Sequence, residues 1–335
     1  MATDIKTATS KDVAKLAGVS QSTVSRVFNK KSQCNVSETV RQKVIDVANE
    51  IGYVPNIIAR GLVSKRTNMI AVVIVEGMGP FYLKMIHNLI QKLQEQGCQP
   101  IFFNLLKSQD MEDIIYKLLQ YQVDAVIIAP SLLSVELGMR CIEKNIVTML
   151  LNMHDENNQI SSIYVDHYKG GNLVGEYFKK KQYENIVYIG YKKAATSITQ
   201  RKKGFLEGIG EHAKDIETHL CDYLYEDGYN LGLKLIKSNK KLDAIFCMSD
   251  LVAIGIIDAI HHNSNLKVPQ DIDIVGFDNI EQSAWKSYEF TTIDQPLDKL
   301  VSRAINVVLE LIENKEEIII SKIKPTLIVR ENRII

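Results

Sequence analysis

The feature that most constrains the fold of this chain is a repeated alternation of short aliphatic runs with amphipathic segments, which begins near Met69. Runs of valine and isoleucine without polar interruptions are typical of strands in parallel sheets, which helices cover on both faces. The runs that we interpret as strands are residues 70–75, 100–103, 125–129, 147–151, 186–189, 244–247 and 272–277. The clearest helical patterns between them are residues 82–96, 111–121 and 250–262. The predicted fold class is therefore α/β, with doubly wound parallel sheets.

The number of strand–helix units indicates two lobes rather than one. Roughly seven to ten units in about 260 residues exceed what one compact sheet usually holds. We assign residues 67–167 with 295–322 to a first lobe, and residues 168–294 with 323–335 to a second. Ligands of doubly wound sheets bind at the carboxyl ends of the strands. In a two-lobed body those ends face a shared cleft, where we expect a binding site.

The N-terminal segment differs from this body in charge. Up to Arg66 the chain has eleven basic and five acidic residues, an excess of six positive charges. The remainder has an equal excess of negative charges, because the whole chain is neutral. A small basic head on a larger acidic body is typical of a nucleic-acid-binding module joined to a regulatory domain. A charged surface without a partner has the same composition, so the residue pattern must decide.

Three short helices are predicted in the head. The spacing of Thr9 and Asp12 predicts a capping box at the start of the first helix, and Gly18 predicts its end. Ser20 and Ser37 are the predicted N-caps of the second helix, residues 21–29, and of the third. The apolar residues that we expect on the inner faces are Val13, Leu16, Ala17, Val24, Val27, Phe28, Val40, Val44, Val47, Ala48 and Ile51. The short turn between the first two helices predicts a helix-turn-helix.

The outer face of the second helix carries polar side chains that suit DNA. Gln21 can pair with adenine and Arg26 with guanine through two hydrogen bonds each. Hydroxyls such as those of Ser22 and Ser25 contact bases or phosphates, and the helix N-terminus attracts phosphate. From these residues alone, a helical bundle with a merely polar surface is the alternative.

The head resembles the helix-turn-helix of the lactose-repressor (LacI/GalR) family in the segment DVAKLAGVSQSTVSRVFN at residues 12–29. Residues 36–44 and the segment GYVPN at residues 52–56 are similar to the family's third helix and its exit, and the resemblance continues through the rest of the chain. It implies a helix-turn-helix DNA-binding domain over residues 1–54 and a hinge helix or linker over residues 55–66. Residues 67–335 would then form an effector-binding and dimerisation domain with the two-lobed fold of periplasmic binding proteins.

The resemblance also implies which residues contact DNA. The implied base-reading residues in the major groove are Gln21, Ser22 and Arg26, and the implied backbone contacts are Ser20, Thr23, Ser25, Asn29 and Tyr53. In the linker, Leu62 is implied to wedge into the minor groove with Ala59 beside it, since an apolar side chain can unstack a base step. Gly61 weakens this helix by up to about 1 kcal/mol relative to alanine, which favours folding only on DNA. A plain inter-domain linker is the alternative.

Polar and aromatic side chains follow the predicted strands, where a ligand of the cleft would lie. The candidate effector-binding residues are Phe81, Tyr82, Asn152, Asp166, Arg201, Asp250 and Asp278. Aromatic rings that stack on a ligand, with Asp, Asn and Arg bound to its polar groups, suit sugars and purines. Each residue alone is more often a helix cap or a strand-end polar group, so the set carries the prediction. We expect Arg201 and Asp278 on opposite walls of one cleft, together with Phe81 and Asp250.

The body shares further sequence with the LacI/GalR family. The matching segments are GPFY at 79–82, DAVIIA at 124–129, RKKGF at 201–205, SDLVA at 249–253, VGFD at 275–278 and TTIDQP at 291–296. In relatives Arg201 and Asp278 correspond to effector contacts, and Asp250 does so in many sugar-binding members. The chain has Met153 and His167 where many members have arginine and asparagine. The implied partners are near-palindromic operator DNA, a second copy of the chain, and a sugar, sugar phosphate or nucleoside-like effector.

The sequence also argues against several classes of protein. The motifs of phosphate-binding loops, dinucleotide-binding turns, serine-hydrolase elbows and zinc proteases are missing from it, so we predict no enzyme, cofactor or metal. No apolar run reaches the roughly 20 residues of a membrane helix, and the first ten residues lack the apolar core of a signal peptide. We therefore expect a cytoplasmic protein. Its five scattered cysteines predict buried, reduced thiols.

Three hypotheses fit a two-lobed body: a ligand-responsive DNA-binding regulator, a solute-binding protein of the periplasmic type, and an enzyme on a doubly wound fold. A solute-binding protein needs a signal peptide and has no use for a basic head, and an enzyme needs a catalytic motif. Since a fold does not fix a function, the head decides for the regulator. The resemblance implies a repressor of a carbohydrate or related metabolite operon. We expect a homodimer, because one helix-turn-helix contacts too little DNA for useful specificity.

Overall fold

The computed structural model describes residues 8–28, 36–55, 66–74, 79–105, 110–130, 133–192, 196–211, 216–238, 240–314 and 317–330. The chain divides into two units, Met1–Thr67 and Asn68–Ile335, which we call the head and the body. The head is helical, and the body is an α/β structure with two sheets that are mostly parallel. The predicted fold class is confirmed.

Three helices form the described part of the head: α1 (Ser10–Ala17), α2 (Gln21–Val27) and α3 (Glu38–Glu50). The predicted capping box is present, since the Thr9 side chain accepts from the Asp12 backbone and the Asp12 carboxylate accepts from the Thr9 backbone over 2.9 Å. Gly18 follows α1 with a φ of 67°, a conformation that glycine adopts without strain. Ser20 caps α2 by accepting from the backbone N–H of Thr23 over 3.1 Å.

A small apolar core holds these helices together. Its fully or almost fully buried members are Val13, Ala14, Ala17, Val24, Val27, Val44 and Ala48. The prediction for Leu16 is wrong, since its side chain is 60% exposed. The eight residues of α1 present the stripe of Val13, Ala14 and Ala17 to α2 and α3, which leaves Leu16 on the outside. Ser37 precedes α3 as expected but makes no capping hydrogen bond through its side chain.

The first lobe of the body is built on a parallel sheet. Its strands are β1 (Met69–Ile74), β2 (Gln99–Asn104), β3 (Ala125–Ile128), β4 (Val147–Leu151), β5 (Ser161–Val165) and β11 (Ile320–Ile323). They lie in the order β11–β5–β4–β3–β1–β2. The helices of this lobe are α4 (Pro80–Glu95), α5 (Asp110–Gln120), α6 (Ser134–Glu143) and α11 (Leu297–Glu313). The near-complete burial of β1, β3 and β4 explains why these strands are continuous aliphatic runs.

The second lobe repeats this architecture. Its strands are β6 (Ile186–Tyr191), β7 (Glu217–Cys221), β8 (Ala244–Cys247), β9 (Asp273–Asp278), β10 (Thr291–Asp294) and β12 (Thr326–Ile328). Their order is β12–β10–β9–β8–β6–β7, in which β12 is antiparallel to β10. The helices are α7 (His167–Lys181), α8 (Thr196–Ile209), α9 (Tyr225–Lys237) and α10 (Asp250–Asn263). The chain passes between the two sheets after β5, β10 and β11, so these crossings lie beside the carboxyl ends of the strands.

Two helices of the second lobe approach each other at backbone contact. A Cβ atom on Gly171 of α7 would lie 1.9 Å from the carbonyl oxygen of Arg201, and one on Gly204 of α8 would lie 1.9 Å from that of Tyr168. Only glycine permits this distance. The close packing brings Arg201 next to the start of α7, at the edge of the sheet where a ligand is expected.

Four cysteines, Cys98, Cys141, Cys221 and Cys247, are buried free thiols, as predicted, and Cys34 lies outside the described residues. His261 and His262 lie in the last turn of α10. None of the helices in the described ranges has the length and apolar character of a membrane span.

Candidate functional site

The polar face of α2 is open to solvent. Val24 and Val27 bury the opposite face of this helix in the head core. The predicted DNA-contacting residues in the described part are exposed at Ser20, Gln21, Ser22, Ser25 and Arg26 and half-buried at Thr23 and Tyr53. The amphipathic pattern of α2 therefore presents its predicted base-reading side chains on one accessible surface.

Hydrogen bonds within the head hold part of this surface in place. Gln21 donates through Nε2 to Ser10 Oγ over 2.9 Å, and Ser20 Oγ lies 2.7 Å from Ser22 Oγ. The ring of Tyr53 packs edge-on against Phe28, with 5.7 Å between the ring centroids. The two hydrogen bonds of Gln21 and Ser22 are exposed to solvent, so a base or phosphate can replace their serine partners at little cost in free energy.

Three residues with implied DNA roles, Asn29, Ala59 and Leu62, lie outside the described residues. The same is true of most of the predicted hinge, residues 56–65. Their roles stay predictions.

Arg201 lies at the centre of the candidate effector site in the body. Its side chain is only 3% exposed, and its guanidinium stacks 3.6 Å from the centroid of the Phe277 ring. Nε donates to His167 Nδ1 over 3.3 Å, and Nη1 donates to the carbonyl of Met248 over 2.5 Å. Nη2 lies 4.0 Å from the Asp278 carboxylate. Two of the five N–H donors of this cation are thus used within the protein, through Nε and Nη1, and Nη2 faces Asp278.

A chain of hydrogen bonds connects Asp278 with the first lobe. Gln295 donates to Asp278 Oδ1 over 2.6 Å, and the buried Asn152 donates to Gln295 Oε1 over 3.1 Å. Asn152 follows β4 of the first lobe with a φ of 57°, a left-handed conformation that asparagine tolerates. Burial raises the pKa of Asp278 to about 7, although Arg201 and the Gln295 bond oppose the rise. Its carboxylate therefore titrates in the physiological range.

Two tyrosines bring aromatic surface to the same place. Burial raises the pKa of Tyr82 to about 12, and the Arg201 cation opposes the rise. The phenol of Tyr82, in the first lobe, therefore lies close enough to Arg201, in the second lobe, to interact with its charge. Tyr223 follows β7 and has a raised pKa, again chiefly because of burial, with Arg201 opposing. Its ring lies 4.7 Å from that of Tyr191 between centroids. Protonated phenols at these positions offer both a ring face and a hydrogen-bond donor.

His167, the first residue of α7, is a neutral imidazole. Burial lowers its pKa well below the ordinary value, and the Arg201 cation lowers it further. Because Nδ1 accepts from Arg201, the remaining proton lies on Nε2. Nε2 is buried, and a hydrogen bond with the backbone of Asn152 opposes part of the pKa lowering. The neutral imidazole thus keeps one N–H donor at the border of the cleft.

Asp166 lies at the border of a cavity of about 450 Å³ that His167, Gln200 and Tyr164 also line. Its carboxylate caps α7 by accepting from the Lys169 backbone over 2.9 Å and lies 3.7 Å from Lys322 Nζ. In the described ranges, no three His, Cys, Asp or Glu side chains are placed to hold a metal ion.

Comparison with known proteins identifies both parts of the chain. Residues 9–56 match the bacterial regulatory proteins of the lacI family, and residues 176–331 match the periplasmic binding protein-like domain. The chain belongs to the LacI/GalR family. It is therefore a ligand-responsive, DNA-binding regulator of transcription, which confirms the choice made from the basic head.

Relatives of this LacI/GalR regulator extend over almost its whole length. The transcriptional repressor PurR of Pasteurella multocida is 29% identical over 335 residues, which covers 97% of this chain and 98% of the relative. A lac repressor dimer solved with operator and the anti-inducer ONPF has 24% identity and a TM-score of 0.84, with 97% of this chain and 98% of that chain covered. The complex of the regulator CelR with cellobiose has 23% identity and a TM-score of 0.71, with 97% and 99% covered. These two structures have the same fold.

The structure corrects three details of the predicted effector site of this LacI/GalR regulator. Arg201 and Asp278 lie side by side in the second lobe rather than on opposite walls, because α8 and β9 both belong to that lobe. Phe81 is only 5% exposed and packs into the core of the first lobe, while the neighbouring Tyr82 lies beside the site. Asp250 is fully buried, since its oxygens accept from the Ile280 backbone over 2.8 Å and from Thr292 Oγ1 over 2.5 Å. Asp250 therefore stabilises the backbone beside Asp278 and does not face the ligand.

Four residues near the site were not among the candidates: Tyr223, Gln295, His167 and Phe277. Tyr223 follows a strand whose polar sequence gives no strand signal. Gln295 stands in the quoted segment TTIDQP, and its position directly after β10 could have marked it as a strand-end residue. Phe277 lies within the buried strand β9, where an aromatic residue looks like core.

Proposed function

We propose that this LacI/GalR regulator represses a carbohydrate operon and that a neutral, polyhydroxylated effector controls its affinity for the operator. The effector would lie between Tyr82 and Asn152 of the first lobe and Arg201, Tyr223 and Asp278 of the second. A carboxylate that accepts from hydroxyls, with aromatic rings against the sugar faces, suits such a molecule.

The observation that carries the effector class is the internal use of Arg201. A guanidinium binds a phosphate or carboxylate most strongly when it offers two parallel N–H groups to the ligand. Here Nε and Nη1 donate to His167 and to the Met248 carbonyl, and Asp278 stands beside Nη2. Among the site residues that the structure describes, the carboxylate of Asp278 balances this cation when it is ionised. A neutral ligand therefore fits the charge of the site better than a sugar phosphate does.

A purine-like effector is the second candidate. Tyr82 and Tyr223 contribute flat aromatic surface, and neutral His167 and Asp278 offer a donor and an acceptor to the edge of a base. Sugar hydroxyls and purine ring N–H groups can both donate to the Asp278 carboxylate, but the donors are spaced differently on the two kinds of ligand.

On DNA, we propose a homodimer that places α2 of each chain in a major groove of a near-palindromic operator. The exposure of Gln21, Ser22 and Arg26 on one face of α2 supports this arrangement. The solved lac repressor with the same fold is a dimer bound to operator. The body of this chain leaves large apolar side chains exposed, among them Leu83, Phe102 and Tyr116, as a dimer surface would. Because operator DNA lies in the cytoplasm of a bacterium, we propose that location for the protein.

The switch that we propose is a change in the relative position of the lobes. In the described structure, Gln295 bonds Asp278 in one lobe and Asn152 in the other. An effector that donates to Asp278 competes with Gln295 for the carboxylate and so favours another arrangement of the lobes. A ligand shifts such an equilibrium by its differential affinity for the two states, typically about 1–3 kcal/mol.

The test is a ligand screen on the purified full-length protein by isothermal titration calorimetry. The panel contains neutral mono- and disaccharides, the phosphates of the same sugars, and the bases hypoxanthine and guanine. Saturable binding of one neutral sugar, lost in Asp278→Asn and kept in the exposed control Asp298→Asn, supports the proposal. Binding of a purine instead establishes the second candidate. Preference for a sugar phosphate over its parent sugar overturns the argument from Arg201.

A further inference from the structure

A second cavity, of about 390 Å³, lies on the outer side of the second lobe between α8 and the edge of its sheet. We call it the α8 groove and define it by Tyr188 and Gly190 of β6, Ile198, Lys202 and Leu206 of α8, and Leu220 of β7. Tyr191 also lines it and packs 4.7 Å from Tyr223 of the effector site between ring centroids, so the two sites are neighbours. Its volume is at the lower end of the range of about 300–1,000 Å³ that small-molecule sites occupy.

The floor of the α8 groove is kept open by a missing side chain. A Cβ atom on Gly190 would lie 2.9 Å from Cε1 of Tyr188 and 3.2 Å from Cδ2 of Leu220. The glycine backbone thus forms a flat surface between an aromatic ring and an aliphatic side chain. Leu220 lies on the edge strand β7 and is 55% exposed, so a ligand that covers it removes apolar surface from water.

One positive charge faces this apolar surface. Lys202 is half-buried, and its ammonium lies 5.6 Å from the centroid of the Tyr188 ring. The neighbouring lysines have carboxylates nearby, since Lys203 Nζ lies 4.0 Å from Glu207 and Lys192 Nζ lies 3.1 Å from Asp222. Among the residues that the structure describes, Lys202 thus has no ion pair, and the charge that complements it is a single anion.

A buried hydroxyl at the groove points to a polar partner as well. The Tyr188 side chain is 1% exposed, and its Oη forms no hydrogen bond. Buried hydroxyls without a partner are uncommon in proteins. The Cζ end of this ring lies toward Gly190, 3.6 Å from the position of its Cβ, so the hydroxyl is next to the groove floor. Burial raises the pKa of Tyr188 to about 12, so the phenol is a donor at neutral pH.

We propose that the α8 groove is a second ligand site, which binds a small aromatic carboxylate. The aryl ring lies on Gly190 between Tyr188 and Leu220, and the carboxylate accepts from Lys202. The hydroxyl of Tyr188, next to the groove floor, is the second donor to the carboxylate. The ligand differs in charge and polarity from the effector of the cleft, so the two sites select different molecules.

The probe for this site is 3-phenylpropionate, and its neutral counterpart is 3-phenylpropanol. Isothermal titration calorimetry with the full-length protein is expected to give saturable binding of one carboxylate per chain, with the alcohol about five-fold weaker, as for one partly exposed ion pair. Lys202→Gln is expected to lower the affinity for 3-phenylpropionate by about the same factor. Lys180→Gln, an exposed lysine on α7, is the matched control and keeps the affinity of the wild type.

Two further variants locate the bound probe. Leu220→Ser alters a half-exposed residue of an edge strand. It is expected to lower the affinity for 3-phenylpropionate without unfolding the protein. Asp278→Asn changes the cleft and is expected to leave the affinity for the probe unchanged. Loss of binding in Asp278→Asn would place the probe in the cleft and overturn the proposal. Equal affinities for the acid and the alcohol, an unchanged Lys202→Gln, or binding that does not saturate would overturn it too.

Discussion

Gln295 joins Asp278 of the second lobe to Asn152 of the first, with hydrogen bonds of 2.6 Å and 3.1 Å through the two ends of one amide. The amide is almost completely buried, at 2% exposure, and follows β10 directly where the chain crosses between the lobes. It is thus placed to report on whether the Asp278 carboxylate is occupied by a ligand.

Replacing Gln295 by alanine is expected to uncouple the two binding functions. The variant should bind the effector identified by the ligand screen, because Asp278 and Arg201 are intact. The ratio of operator affinities with and without effector should fall toward one from the roughly 5- to 150-fold that is usual for such coupling. Fluorescence anisotropy on a labelled operator measures this ratio, with Gln91→Ala, an exposed glutamine of α4, as the control. An unchanged ratio would show that the amide does not transmit the signal.

Effector affinity is expected to rise with pH. The pKa of Asp278 is raised to about 7, so the free site is largely protonated below that pH. A ligand hydroxyl bonds more strongly to the charged carboxylate than to the neutral acid. Binding to the ionised form alone predicts an increase of about ten-fold between about pH 6 and about pH 8, measured by calorimetry. Asp278→Asn should bind weakly and without this dependence, and a flat profile of the wild type would exclude the carboxylate as the acceptor.

The strands that were predicted from the sequence are those with buried, continuous aliphatic runs. β3 and β8 are buried at every position, so hydrophobicity alone marks them. The edge strand β7 has the sequence ETHLC with alternate exposed residues, and β11 and β12 are short and have no fully buried residue. Their pairing partners lie far away in the chain, so no local pattern predicts them.

The effector site, like the strands, could be predicted only in part from the sequence. Arg201 and Asp278 follow from the rule that ligands bind at strand ends, and they do lie together. The rule fails for Asp250, because its carboxylate lies where a side chain on Gly276 would be, 2.0 Å from that Cβ position. A buried brace and a ligand contact look alike in sequence when both are aspartates at strand ends.

The brace at Asp250 predicts a pH dependence of stability. Burial raises its pKa from 3.8 to about 8, so the folded protein keeps a proton that the unfolded chain releases above about pH 4. The free energy of unfolding should therefore fall as the pH rises through this range and level off above pH 8. In Asp250→Asn the amide can still accept from the Ile280 N–H and donate to the Thr292 hydroxyl, without a charge to bury.

Urea denaturation at several pH values measures this effect. The urea midpoint of the wild type should fall between about pH 5 and about pH 8, and this fall should be roughly half as large in Asp250→Asn. Groups such as Asp278 account for the fall that the variant keeps. Asp298, whose side chain is 79% exposed and pairs with Lys92, gives the control variant Asp298→Asn with the wild-type profile. Equal profiles for all three proteins would contradict a raised pKa of Asp250.

Arg26→Ala is expected to weaken operator binding and to relax the base preference at one position of each half-site. Its exposed side chain on α2 can donate two hydrogen bonds to guanine, a contact worth about 1–3 kcal/mol. The operator is first obtained by selection from random DNA, and gel shifts with single-base variants then give the preference. Gln42→Ala, on α3 and bonded to Asp46, is the control. A weaker complex with unchanged base preference would assign Arg26 to the phosphates instead.

Arg201→Ala is expected to abolish the response to effector while operator binding in its absence persists, because the implied DNA contacts lie in the head. The change also leaves the Met248 carbonyl and His167 Nδ1 without their donor, which costs about 1–3 kcal/mol for a buried group. Arg201→Lys separates these effects, since the ammonium restores the charge but cannot stack on Phe277 and donate to both acceptors at once. Circular dichroism and the urea midpoint show whether each variant folds. If Arg201→Ala folds and still responds at the effector concentration that the wild type needs, Arg201 is a structural residue. The effector then does not bind beside Asp278.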